Sequence, residues 1–189
     1  MSPHNPYLNL SEKRIVVAGA GVTGQAVAKV LVDRGAYVIF AEEKVIEVEG
    51  FEVKRPEAID SDDFDALLVS PGWRESNPLV LLARTQEKEI LNEIDLAWHI
   101  KQEKFPKQKW LSLTGTNGKT TTVEMVAHIF ATAGLQAKAC GNVGTTVIET
   151  VTSGESLDYL VLELSSFQLH WLKDAQFISS SIINIADDH

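Results

Sequence analysis

The stretch Leu111-Ser112-Leu113-Thr114-Gly115-Thr116-Asn117-Gly118-Lys119-Thr120-Thr121 decides how the chain is read. An apolar run enters it, and an amphipathic pattern leaves it through Val123, Val126, Ala127 and Phe130. Strand, small-residue loop, then Lys and a hydroxyl at a helix start make a phosphate cradle. Backbone N–H groups wrap anionic oxygens, the lysine reaches the outer phosphates, and the Thr120 hydroxyl can ligate Mg²⁺. ATP is therefore expected on Gly115, Thr116, Asn117, Gly118, Lys119, Thr120 and Thr121. The general spacing of such loops wants a glycine at Leu113; here the first glycine is Gly115, giving the compressed form T-G-T-N-G-K-T-T.

Upstream, Arg14 to Gly19 reads as a buried strand, and Gly19-Ala20-Gly21-Val22-Thr23-Gly24 follows it. This is G-x-G-x-x-G after a strand, opening a helix through Ala26, Val27, Val30 and Leu31. Gly35 stops that helix and Ala36 to Ala41 forms the next strand, closed by Glu42 and Glu43. An acid there accepts hydrogen bonds from a nucleotide ribose. Alone, the fingerprint predicts an NAD-binding domain, yet the same turn accepts any nucleotide diphosphate. Asp65 to Val69 is a third strand whose end, Ser70-Pro71-Gly72, is expected beside the Gly19 to Gly24 loop. Pro78 opens a short helix, Glu89 to Leu91 is a short strand, and Glu93 to Ile100 is a helix carrying Trp98 as a packing residue.

Lys101 to Lys109 reads as a solvated linker, so the division is expected at residues 107 and 108. The loop helix stops at Gly134, Ala137 to Cys140 leads as a strand into Gly141-Asn142-Val143-Gly144, and Thr145 to Thr152 is helical. Tyr159 to Leu164 is a strand in which Glu163 interrupts an apolar run; a carboxylate there is a candidate Mg²⁺ ligand. Ile178 to Ile185 is the last strand, before Ala186-Asp187-Asp188-His189. The expected fold is α/β, a Rossmann-like domain over residues 1–107 followed by the first part of a P-loop ATPase domain over 108–189.

Among 189 residues, 44% are hydrophobic and 23% charged, as in ordinary globular proteins, and the formal charge is −9. That balance repels nucleic acid and anionic membranes. The single Cys140 cannot form an internal bridge, and no run reaches the ~18 apolar residues of a membrane helix. A monomeric cytoplasmic protein acting on small molecules is expected.

The two glycine loops, Gly141 to Gly144, the run Leu162-Glu163-Leu164-Ser165-Ser166-Phe167-Gln168-Leu169 and Asn184-Ile185-Ala186-Asp187-Asp188-His189 together resemble the Mur ligase family. The Leu162 to Leu169 run is similar to its D-glutamate-adding branch. Folylpolyglutamate synthetases share the compressed loop, but the first fingerprint and the Leu162 to Leu169 run argue against them. The resemblance implies UDP rather than NAD on the first domain. It also implies ATP and Mg²⁺ on the second, with UDP-N-acetylmuramoyl-L-alanine and D-glutamate as substrates of an acyl-phosphate amide synthesis in peptidoglycan assembly. Lys119, Glu163 and His189 would be catalytic, and Thr120, Glu163 and His189 metal-binding. Val22, Thr23, Glu42, Ser70, Gly72, Asn142 and Ser165 would contact substrate. A carbamylated lysine and a C-terminal domain are expected beyond His189, so the piece alone is expected to bind without turning over.

Overall fold

A computed structural model describes residues 5–44 and 46–186. The chain is α/β and separates into two compact units, one ending at Leu96 and the next beginning at Ala97. In the first, β1 (Arg14–Ala18), β2 (Tyr37–Ala41), β3 (Glu52–Lys54), β4 (Ala66–Val69) and β5 (Glu89–Asn92) form a parallel sheet in the order β3-β2-β1-β4-β5. Val16, Val17, Leu67 and Leu68 are buried as continuous runs, because helices cover both faces of such a sheet. The order reverses between β1 and β4, and ligands of open α/β sheets bind outside the strand ends at that point.

Helix α1 (Val22–Asp33) follows β1, and α2 (Pro78–Thr85) is started by the Asn77 side chain, which accepts from the Leu79 amide. At Gly24 a β-carbon would fall 2.0 Å from the Gly19 carbonyl oxygen. The third glycine of the fingerprint therefore lets α1 lie against its own loop. Strand β3 was not anticipated: three residues, two of them charged, carry no usable periodicity.

Asp65 precedes β4 and anchors β1. Its carboxylate accepts from the Arg14 amide at 2.9 Å and from the guanidinium at 2.9 Å. The Arg14 side-chain hydrogen bond, opposed by partial burial, holds the Asp65 carboxyl at about 2. A lowered folded-state pKa contributes stability above the unfolded value, lost as pH falls through the folded one. Asp65→Asn is therefore expected to flatten the acid limb of stability between about pH 4 and pH 2. Urea midpoints measured across that range check this.

Helix α3 (Glu93–Lys104) carries the chain from one unit to the next. The compact units divide within this helix at Leu96–Ala97, and the second sheet begins at Lys109. Ile94, Leu96, Ala97 and Ile100 are buried, as are Glu93 and Asp95, so the chain crosses within a buried stretch of helix. Of the stretch Lys101 to Lys109, residues 102–104, 106, 107 and 109 are exposed as expected, whereas Lys101 and Gln108 are buried. Lys101 is 3% exposed, lies 4.7 Å from the Trp98 ring centre, and donates to the Pro106 carbonyl at 3.2 Å. Burial pushes its ammonium pKa down.

In the second unit β6 (Lys109–Thr114), β7 (Ala137–Gly141), β8 (Tyr159–Glu163) and β9 (Ser179–Ile182) are parallel in the order β7-β8-β6-β9. Helix α4 (Lys119–Thr132) packs Val123 and Ala127 on Leu113 and Val161. Trp98 and Trp110 meet edge to face with centroids 5.2 Å apart, so Trp98 is a packing residue as expected and Trp110 packs with it. Helices α5 (Val147–Thr152) and α6 (Ser166–Trp171) follow β7 and β8. Among the described residues no helix is long and apolar enough to cross a membrane.

Candidate functional site

In the first unit the β1 and β4 ends meet as expected. The Ser70 amide donates to the Ala18 carbonyl at 3.1 Å, and the Ser70 hydroxyl oxygen lies 3.0 Å from where a Gly19 β-carbon would stand. Glu42, Glu43, Ser70, Gly72, Trp73, Arg74, Ser76 and Asn77 line a cleft of about 540 Å³. Val22 and Thr23 occupy the first turn of α1 but do not line it. Glu42 is turned toward the loop: its carboxylate accepts from the Ala20 amide at 3.1 Å and from the Lys44 amide at 3.3 Å. Sequence reasoning missed Trp73, Arg74, Ser76 and Asn77, whose signal was their place in the segment joining β4 to α2.

In the second unit β6 delivers Gly115 to Gly118 to the start of α4. Gly118 is the N-cap and supplies no side-chain cap, which leaves the first amides of a fourteen-residue helix without an intrahelical partner. Lys119 folds back, its Nζ donating to the Gly115 carbonyl at 2.7 Å and the Thr116 carbonyl at 3.0 Å. Thr116 and Asn117 are engaged elsewhere. Both amides donate to the Asn184 Oδ1, at 3.0 and 2.9 Å, and the Thr116 hydroxyl oxygen accepts from the Ala186 amide at 3.0 Å. Asn184 entered the sequence reading only within the Asn184 to His189 run, with no site role of its own.

The register of β6 and β8 sets Leu113 opposite Glu163, which brings this carboxylate under the loop. Glu163 is 2% exposed on an inner strand, and no cation pairs with it among the described residues. It accepts from the Thr120 hydroxyl at 2.7 Å and from Asn142 Nδ2 at 3.3 Å. Three expected site residues therefore converge. A buried carboxylate with only neutral partners is costly, and a bound cation would offset that cost. Thr120 and Glu163 are hard oxygen donors of the kind that suits Mg²⁺, which keeps waters and takes phosphate oxygens for its other ligands. Among the described residues no group of three or more His, Cys, Asp or Glu could hold a metal. The expected ligand His189 lies outside the described residues. Ser165 caps α6: its hydroxyl accepts from the Gln168 amide at 3.2 Å, and its own amide donates to the Gln168 side chain.

Gly141 makes the β7 end possible. Its φ is +124°, and a β-carbon there would sit 2.2 Å from the Glu163 carbonyl oxygen, which accepts from the Asn142 amide. Gly141→Ala is expected to destabilise the second unit by about 2–3 kcal/mol, from backbone strain plus overpacking. Chemical denaturation followed by tryptophan fluorescence checks this.

Residues 113–189 match the Mur ligase middle domain, a span that begins within β6. UDP-N-acetylmuramoylalanine--D-glutamate ligase from Corynebacterium diphtheriae is 37% identical over 93% of this chain and 39% of its own length. The protein of the same name from Thermobifida fusca is 36% identical over 96% and 41%. The chain carries a Mur ligase middle domain and is similar over nearly its whole length to these ligases. It spans about two-fifths of the length of these relatives. A ligase from Neisseria meningitides, UDP-N-acetylmuramate:L-alanyl-gamma-D-glutamyl-meso-diaminopimelate ligase, superposes with a TM-score of 0.54 at 17% identity. It covers 95% of this chain and 62% of its own, and the likeness is one of fold. UDP-N-acetylmuramate-alanine ligase from Thermotoga maritima superposes at 0.50 and 24% identity over 94% and 43%.

Proposed function

We propose that the chain is the UDP-substrate- and ATP-binding part of a ligase that joins D-glutamate to UDP-N-acetylmuramoyl-L-alanine. The observation that carries the reading is the second-unit loop. The uncapped N-terminus of α4, the Lys119 ammonium and the Thr120–Glu163 pair lie together, each suited to a nucleotide phosphate or its metal. The names of the similar ligases supply the substrates, and the cleft beside Ser70 and Gly72 would take the UDP.

A carboxylate is a poor electrophile until one of its oxygens becomes a good leaving group. In the proposed reaction the alanyl carboxylate attacks the γ-phosphorus of ATP, the bond to the bridging oxygen breaks, and ADP leaves. The D-glutamate nitrogen then attacks the acyl carbon, inorganic phosphate departs, and the nitrogen gives up a proton to leave an amide. Because two anions must approach, the protein's contribution is positioning and charge neutralisation. Lys119 would leave its loop carbonyls for the transferring phosphoryl group. The α4 amides would bind the phosphate oxygens. Mg²⁺, held by Thr120 and Glu163, would supply further positive charge against them.

Thermal denaturation of the chain with UDP, with ADP and Mg²⁺, and with NAD tests this. A ligand at a hundred times its Kd stabilises by about 2.7 kcal/mol. UDP and ADP with Mg²⁺ are expected to raise the Tm and NAD to leave it unchanged. Stabilisation by NAD alone would replace this reading with a dinucleotide-binding one.

A further inference from the structure

We infer that Asn184 is a positioning residue for the phosphate loop, holding its first two amides from behind so that only the later ones face a nucleotide. The inference rests on the reading of residues 115–121 as an ATP site. Its starting point is register: β9 pairs with β6 so that Ile182 lies opposite Thr114, and the Ile183 amide donates to the Thr114 carbonyl at 3.0 Å. The next residue, Asn184, is thereby delivered to the first turn of the loop.

Its carboxamide does what few other side chains can. One oxygen accepts both the Thr116 and Asn117 amides, at 3.0 and 2.9 Å, while Nδ2 of the same group donates to the Asn117 carbonyl at 2.7 Å. An acceptor with two lone pairs and a donor on one planar group are needed together, which restricts the choice to an amide. The Asn184 carbonyl takes a share of the Thr116 amide at 3.2 Å. Ala186 adds a bond to the Thr116 hydroxyl at 3.0 Å, so the Thr116 side chain also faces this segment. The loop amides are thus divided. Those of Thr116 and Asn117 are used within the protein, and those opening α4 remain for an anion. A loop with all its amides free would have to be ordered by the nucleotide itself, at a cost in affinity.

The test uses the 189-residue chain and reads amide hydrogen exchange at Thr116 and Asn117, with the β8 amides of Val161 and Leu162 as internal reference, and titrates ADP with Mg²⁺. Asn184→Ala is expected to speed exchange at the two loop amides about tenfold and weaken ADP about tenfold, leaving the β8 amides unchanged. Asn184→Asp keeps the double acceptor but sets an oxygen against the Asn117 carbonyl, so protection at the two loop amides should fall, though less than in Asn184→Ala. Its added charge beside the phosphates should still weaken ADP, a split that a merely structural role would not produce. The inference is overturned if Asn184→Ala leaves exchange and affinity unchanged. It is equally overturned if that variant binds ADP more tightly, since Asn184 would then be a plug. Should Asn184→Ala lose protection throughout the unit, Asn184→Asp decides: exchange raised at the two loop amides alone, with ADP weakened, would support the inference, and loop exchange and ADP affinity both unchanged would overturn it. If the parent chain binds no ADP, the nucleotide reading fails, while the exchange rates still decide whether Asn184 holds the loop.

Discussion

If the proposed ligase reading holds, replacing Lys119 by alanine is expected to slow D-glutamate-dependent phosphate release on the order of 10²- to 10³-fold, or ~3–4 kcal/mol of transition-state stabilisation. The effect should fall on turnover more than on stability. Without nucleotide the ammonium is bound to the Gly115 and Thr116 carbonyls, both in half-exposed residues, where water can replace it. During phosphoryl transfer no water can do so, because the charge must be delivered to oxygens whose electron density is rising. Lys119→Ala should therefore unfold within about 1 kcal/mol of the parent while losing nearly all activity. Steady-state phosphate release and denaturant unfolding on the same preparation separate the two. A variant turning over within threefold of the parent would remove Lys119 from the reaction.

Glu163→Gln should produce the second large loss, about 100-fold or more in turnover at low Mg²⁺, partly recovered as Mg²⁺ is raised. The substitution keeps the side-chain volume and an acceptor for the Thr120 hydroxyl while removing the charge. Burying a neutral amide costs less than burying a carboxylate, so the folded state without ligand should hold or gain stability. Lower activity with retained or raised stability is the pattern of a group kept for its chemistry. Turnover as a function of Mg²⁺ concentration is the measurement, and an unchanged Mg²⁺ dependence would assign Glu163 to structure alone.

Much of this arrangement was legible before any coordinates. Strands β1, β4 and β8 are built on apolar runs with few other readings, and Gly19, Gly24 and Gly118 mark places where a side chain would clash or strain the chain. The Leu162 to Leu169 run pointed to a family whose named ligases are similar over nearly the whole chain. Other features were not legible locally. Helix α3 hides the crossing between units because its first turns are buried all round. Lys101 looks like a surface residue by type, and only the Trp98 ring beneath its ammonium and the Pro106 carbonyl that accepts from it make it an interior one.

The sequence by itself determined which residue types carry the chemistry: a loop ending in Lys119 and Thr120, an acid in an apolar strand, and a second glycine loop after β1. Those are local properties, set by backbone conformation and by side-chain type. Only the tertiary structure decided which of them act together. Parallel register sets Glu163 under Thr120 and places Asn184 behind Thr116, and neither pairing could be read from residues more than forty positions apart. It also turned Glu42 toward the loop amides and gave Ser165 to the cap of α6. A polar group takes the partner that the sheet brings within reach, and sheet order is a property of the whole chain.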